Sequence, residues 1–337
     1  MPVATEPQAA PAQGNLRHLR HLRMGVFGIG SLGRHHTRIL SAFEGVTLEG
    51  IFDTRPDVAA AVAAEHGARV ASSFDDLAGR IDAAVLAAPT TLHGELGLAL
   101  LERGVHLLVE KPIASSLAEA DALIAAAEAR DLVLAVGHVE FHNPAVQALL
   151  DAGSGPRFIE IERLGTFSPR SLDVDVILDL MIHDLQILQA MDSSPVVEVR
   201  ATGIPVLSER IDIANARLAF ASGLVANVTA SRVSGERVRK LRAFFPDRYL
   251  SLDYQAQEIK GYRLDLSAGG RAILPANPPV EKAEPLLCEL AAFVASCKGH
   301  RVRQVDGRAG RRALATALEV VAAAAPTAAT AVGAGAA

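Results

Sequence analysis

In the first half of the chain, short apolar runs alternate with longer stretches whose apolar residues repeat at helical spacing. Residues 24–28, 46–53, 81–87, 105–109 and 132–137 are apolar at nearly every position, the pattern of strands buried on both faces. Helices are predicted between them, over 32–42, 56–66, 92–103 and 117–130, and Ser116 with Glu119 three residues later marks the last as a capping box. Such regular alternation implies right-handed crossovers and a parallel sheet covered by helices. The pattern changes at Asn143. Pro144 opens a helix to about 152, a turn at 153–156 ends it, and residues 158–165 alternate apolar and polar as a half-buried strand does. One strong helix, 174–191, follows. Strand-like runs at 196–204, 214–220, 224–231, 239–245 and 249–253 then arrive without intervening helices, which predicts a mostly antiparallel sheet and a second domain. Helices over 285–298 and 308–323 close the pattern.

The fold class is therefore α/β, with a nucleotide-binding type of unit over 23–142 and an α+β unit over 143–325. Residues 1–22 lack apolar periodicity and read as a disordered arm, whose basic stretch 17–23 reads as solvated rather than as a binding patch; 326–337 read as a flexible tail. Lysine and arginine total 33 against 38 acids, a formal charge of -5. That balance argues against nucleic acid and membrane surfaces as partners. The two cysteines, Cys288 and Cys297, lie in one predicted helix, roughly 13 Å apart along its axis, too far to bridge. No signal-peptide core or spanning apolar run appears, so a cytoplasmic location is expected.

Gly28-Ile29-Gly30-Ser31-Leu32-Gly33 follows a predicted strand and opens a predicted helix, the context in which G-x-G-x-x-G binds a dinucleotide. The first glycine makes the turn, the second admits the pyrophosphate, and the third packs helix on strand. Asp53 ends the next strand 20 residues beyond Gly33, placed to bind the adenosine ribose hydroxyls. It favours NAD over NADP, although Arg55 beside it is of the kind that accommodates a 2'-phosphate. Ala88-Pro89-Thr90 ends a further strand at the same sheet edge, on the nicotinamide side. Glu110-Lys111-Pro112 ends another, and Lys111, held beside a cationic nicotinamide, can serve as a proton acceptor. Asp175, Asp179 and His183 are four apart and share a face of the 174–191 helix, where they can contact substrate, pair with one another, or simply be solvated. No third convergent ligand motif points to a metal.

With Thr90-Thr91-Leu92-His93, Glu110-Lys111-Pro112, Gly137-His138, Asp179 and His183 added to the glycine loop, residues 23–325 resemble the glucose-fructose oxidoreductase / inositol dehydrogenase (Gfo/Idh/MocA) family. The resemblance implies a Rossmann domain joined to an α+β domain with a large open sheet. It also implies a cofactor site that includes His93, Glu110, Lys111 and His138, with Lys111 touching substrate and nicotinamide and His183 beside the reacting hydroxyl. Arg163-Leu164-Gly165-Thr166, Arg170-Ser171-Leu172-Asp173-Val174-Asp175, Asp179 to Asp184, Gly137-His138-Val139-Glu140 and Asn143-Pro144 are similar to its nucleotide-sugar branch. Phe141-His142 and Gln186 depart from that branch's pattern.

The expected activity is NAD-dependent oxidation of a secondary sugar hydroxyl, at C3 of a UDP-N-acetylhexosamine. Lys111 or His183 is the proton acceptor, with Asp179 orienting, Glu140, Asn143 and Asp175 contacting substrate, and Arg163 and Arg170 meeting the diphosphate. An inositol or free-sugar dehydrogenase and a non-catalytic dinucleotide sensor are the alternatives. An open sheet with an apolar face calls for a partner subunit, in a homodimer or homotetramer.

Overall fold

A computed structural model describes residues 21–153, 155–167, 174–267 and 271–324. The expected tail, nearly all of the expected arm, and Arg170 lie outside these. Leu22 does not belong to an arm: it opens the first strand and is buried.

The first sheet has five parallel strands in the order β2-β1-β3-β4-β5: β1 (Leu22–Phe27), β2 (Val46–Phe52), β3 (Ala83–Leu86), β4 (His106–Glu110) and β5 (Leu134–Gly137). Helices α1 (Ser31–Leu40), α2 (Pro56–His66), α4 (His93–Glu102) and α5 (Leu117–Glu128) make the crossovers as the periodicity predicts. Ser116 caps α5 by accepting from Glu119 N at 3.2 Å, while the Glu119 carboxylate accepts from Ser115 N. The short α3 (Phe74–Ala78), capped by Ser73, has too few residues to show a helical period in sequence. Because the sheet order turns outward in both directions from β1, the crevice beyond its carboxyl edge is where such sheets take ligands.

The second sheet runs β13-β12-β11-β10-β6-β9-β8-β7, and of its pairings only β6–β9 is parallel. Its strands are β6 (Phe158–Leu164), β7 (Val196–Ile204), β8 (Ile213–Phe220), β9 (Val225–Ser231), β10 (Val238–Phe244), β11 (Arg248–Asp253), β12 (Glu258–Asp265) and β13 (Ala272–Pro275). One face is buried by alternation, through Ala214, Ala216, Leu218 and Phe220 on β8 and Ile159 and Ile161 on β6. Helices α6 (Pro144–Asp151), α7 (Ile182–Met191) and α9 (Gly307–Ala324) cover that face with Val146, Leu149, Leu185, Leu188, Ala317 and Val320.

The packing departs from the expected two-unit division at α8 (Pro285–Cys297). Leu286, Leu290, Phe293 and Val294 of this helix share a core with Met24, Val26 and Leu108 of the first sheet, and Asp306 bridges to Ala135 of β5. The chain thus returns to cover the parallel sheet, whose apolar faces both need helices. Cys288 and Cys297 are free thiols.

The predicted 174–191 helix is also interrupted. Residues Ile177–Met181 form a π-helical turn before α7 begins. The wider turn runs directly into α7, and within it Asp179 N donates to Asp175 O at 3.0 Å.

Candidate active site

The carboxyl ends of all five parallel strands meet at one edge. Gly28 leaves β1 with φ +85°, and a Cβ there would lie 2.6 Å from Ala88 N; one on Gly33 would lie 1.9 Å from Gly28 O. A Cβ on Gly30 would meet nothing within 4 Å. Two glycines are therefore required by the protein's own packing, and the middle one leaves open the space a pyrophosphate needs. Helix α1 begins there with no side-chain cap and no acid in its first turn, leaving its positive end suited to an anion. These residues fit a bound dinucleotide.

At the end of β2, Asp53 accepts from Ile29 N at 2.7 Å and from Arg55 N and Nε at 2.9 and 3.0 Å. Burial pushes its carboxyl up, but these bonds outweigh it and hold the group below its ordinary range. His93 is buried with its ring nitrogens 2.9 Å from the carbonyl oxygens of Ala88 and Pro112. Burial lowers its pKa despite both contacts, so the neutral ring, wedged between the two loops, donates its one N–H to one of these carbonyls. Glu110, also buried, accepts from His36 Nε2 at 2.8 Å and from Lys111 N at 3.3 Å. His93 and Glu110, both expected at the cofactor, are bonded to the loops that carry Ala88, Pro89, Thr90 and Lys111.

Lys111 Nζ reaches into the π turn, donating to the Asp179 carbonyl at 2.6 Å and to Asp179 Oδ1 at 3.1 Å. Asp179, expected to orient His183 or the sugar, holds Lys111 here through both its carbonyl and its carboxylate. The His183 ring stands edge-on to His138 at the end of β5, with centroids 5.4 Å apart. Neither nitrogen of His138 nor Nδ1 of His183 has a partner among the described residues. Burial, then the Lys111 charge, push His138 down to about 3; burial, Lys111 and more weakly His138, Arg163 and Arg239 hold His183 well below the usual histidine range. The edge therefore presents two neutral imidazoles beside an amine fixed from behind.

Several expected substrate contacts are committed elsewhere. Arg163 lies on the inward face of β6, in line with Ile159 and Ile161, and is 2% exposed. Its guanidinium donates to both Asp184 oxygens at 2.7 Å and to Glu140 Oε1 at 2.6 Å, over the Tyr254 ring. It cannot meet a diphosphate without abandoning two buried carboxylates, and Glu140 is correspondingly occupied. Asn143 caps α6 through Ala145 N and donates to the Tyr254 carbonyl. Asp175 accepts from Ile211 N at 2.9 Å, anchoring the approach to β8. His142, one of the departures from the branch's pattern, is buried edge-on to Phe141, and burial pushes it down to about 4.

The sequence reading missed Arg239. It lies directly across β10 from Arg163, donates to the same Glu140 oxygen at 3.0 Å, and keeps about a third of its side chain exposed. Two like charges facing across a strand pair repel, and Glu140 between them supplies the compensation. The signal in sequence is register: Arg239 stands two residues before the inward-facing Leu241.

A family model described as an oxidoreductase family with an NAD-binding Rossmann fold matches residues 22–138. UDP-N-acetylglucosamine 3-dehydrogenase of Acidithiobacillus ferrooxidans is 41% identical over 308 residues, 89% of this chain and 96% of that protein. Its solved structure superposes with a TM-score of 0.85 over 90% of this chain and 97% of that one. Myo-inositol 2-dehydrogenase of Thermotoga maritima is 26% identical over 63% of this chain and 69% of that protein. A levoglucosan dehydrogenase solved with NADH and levoglucosan, 18% identical with a TM-score of 0.79 over 90% of this chain and 97% of that one, shares the fold. Identity that extends over both sheets, not the nucleotide-binding one alone, makes the chain a member of the Gfo/Idh/MocA family of oxidoreductases.

Proposed function

We propose that this oxidoreductase uses NAD to oxidise the C3 hydroxyl of a UDP-N-acetylhexosamine, UDP-N-acetylglucosamine first among them, to the 3-keto sugar. The observation that carries the reading is the neutral, buried His183 beside the Lys111–Asp179 pair at the edge where the glycine turn opens. The bound nicotinamide supplies the hydride acceptor. His183 takes the hydroxyl proton at Nε2, since Nδ1 is sealed inside the protein. Lys111, held by Asp179 on one side, directs its remaining hydrogens at the sugar oxygen and fixes near-attack geometry. Arg239 takes the diphosphate role first expected of Arg163, because its guanidinium is partly exposed and a single bond to Glu140 holds it, leaving its other N–H groups for phosphate oxygens. Asp53 favours NAD: Arg55 already serves that carboxylate, and a 2'-phosphate would meet like charge.

The outer face of the second sheet exposes Val197, Tyr262 and Ile273, and we place subunit association there, in a cytoplasmic enzyme. Among the described residues no helix is long and apolar enough to cross a membrane.

The test is cofactor reduction across UDP-sugars, inositols and free sugars, with Lys111→Met and His183→Asn alongside. Turnover is expected with UDP-N-acetylglucosamine, with each variant losing about 10²–10⁴-fold while still binding NADH. Turnover with inositol but no UDP-sugar, or tight NAD binding with no turnover on any of them, overturns the proposal.

A further inference from the structure

Glu289 of α8 is 2% exposed, and neither of its carboxylate oxygens has a hydrogen-bond partner among the described residues. It faces His36 of α1 and Glu110 at the end of β4, both buried, with one ligating atom from each of the three lying within 4.8 Å of the others. His36 and Glu110 already form a pair at 2.8 Å, so Glu289 brings a second carboxylate into a site whose one cationic candidate is taken.

Two carboxylates this close in a dry site do not both stay ionised. Either a divalent cation or a proton must compensate. A cation would have to displace the bond that joins His36 Nε2 and Glu110 Oε1 at 2.8 Å, which a proton on Glu289 leaves intact. The proton is the better fit. We infer that Glu289 is a neutral carboxylic acid, because a second charge this close to Glu110 would repel it, and that by staying neutral it acts as a positioning residue for Lys111.

The path to Lys111 is short. Glu110 accepts from His36 with Oε1 and from the Lys111 backbone N–H with Oε2, and that second oxygen packs against Gly137, where a Cβ would lie 2.9 Å away. An uncharged Glu289 leaves Glu110 on these two partners, and so leaves in place the strand end from which Lys111 reaches Asp179. The same cluster ties in α1, the helix that starts at the glycine turn. Other titratable groups on the packed elements are committed: Glu140 to Arg163 and Arg239, and Arg38 of α1 to Glu284, while His142 is neutral and edge-on to Phe141. Burial, and next the Glu110 charge, push Glu289 well above the ordinary carboxylate range.

The sign of the linkage follows. A carboxyl with a raised folded pKa costs nothing below its unfolded value and lowers stability as pH climbs from there toward the folded value. Glu289→Gln keeps the size and shape of the neutral acid and cannot ionise. Its melting temperature is expected to exceed that of the wild type by a margin that grows from about pH 5 to pH 9. At neutral pH it should keep kcat within about threefold, and its alkaline loss of turnover should shift upward or vanish, whereas Glu289→Ala should lose about tenfold in kcat with NADH still bound. A Glu289→Gln protein as impaired as Glu289→Ala, or one whose melting temperature tracks the wild type at every pH, overturns the inference. So does a stoichiometric divalent metal in the purified wild type that disappears in Glu289→Gln. The melting measurements need no substrate, so they stand or fall independently of which sugar is oxidised.

Discussion

Replacing Arg163 by methionine separates the two roles this arginine could have. It makes three short charge-assisted bonds from a fully enclosed position. Without it, among the described residues Asp184, with no exposed surface, keeps only the Tyr254 hydroxyl at 3.4 Å, while Glu140 keeps Arg239 at 3.0 Å. Breaking a buried pair in this way costs about 3–5 kcal/mol, or roughly two to three and a half powers of ten in the unfolding constant. Because a stranded buried carboxyl can relieve itself by taking up a proton, the deficit should be larger at about pH 8 than at about pH 6. Urea unfolding at both pH values measures it. Adding Asp184→Leu removes the stranded charge and should restore part of the loss. A variant that unfolds within about 1 kcal/mol of the wild type at both pH values, but needs tenfold more UDP-sugar for half-maximal rate, would refute the structural role and return Arg163 to the diphosphate.

Arg239→Ala should raise KM for the UDP-sugar about tenfold and flatten its dependence on salt, as loss of one phosphate contact does, with little change in melting temperature; initial rates over a salt series decide. Gly30→Ala should fold normally, since its Cβ meets open space, yet weaken NADH binding, whereas Gly33→Ala should fail to accumulate as folded protein because its Cβ would sit 1.9 Å from Gly28 O; NADH fluorescence and melting temperature distinguish them. His138, His142 and His183 are buried with lowered pKa values, so the unfolded chain binds more protons on acidification. Stability should therefore fall below about pH 6.5, each histidine contributing up to about 1.4 kcal/mol per pH unit, and His142→Asn should reduce the slope in urea unfolding.

The parallel sheet and its glycine turn were legible because strands buried on both faces leave continuous apolar runs, and because the loop's three glycines answer three different steric demands. Lys111 and His183 were legible as residues, but their partners were not. Nothing in the mixed apolar and polar stretch from Val174 to Met191 announces a π turn, or that Asp179 within it pairs with Lys111 from the other sheet. Arg163 was misassigned for a different reason: the alternation Ile159, Ile161, Arg163 already places it inward, yet an arginine near a nucleotide-sugar motif invites a phosphate contact. Glu289 shares its side of α8 with Leu286, Leu290 and Phe293, and a lone glutamate in such a helix carries no local sign of what it faces. Only the return of α8 to the first sheet turns that face inward, and that is a tertiary event with no local signature.

Most charges that composition left available turn out to neutralise one another, and the groups without partners carry the chemistry. They are of two kinds. His138 and His183 lie among positive charges, which help burial keep the imidazoles neutral and able to accept a proton. Glu289 lies against a negative charge, which helps burial keep it protonated. Lys111 stands between them, its side chain fixed by Asp179 and its backbone by Glu110. An empty base in front and a filled acid behind fail at opposite ends of the pH scale, the base on acidification and the acid on alkalinisation. A bell-shaped dependence of kcat/KM follows, and its two limbs belong to different layers of the protein. Glu289→Gln should displace the alkaline limb alone, because the acid limb is set by histidines on the far side of Lys111.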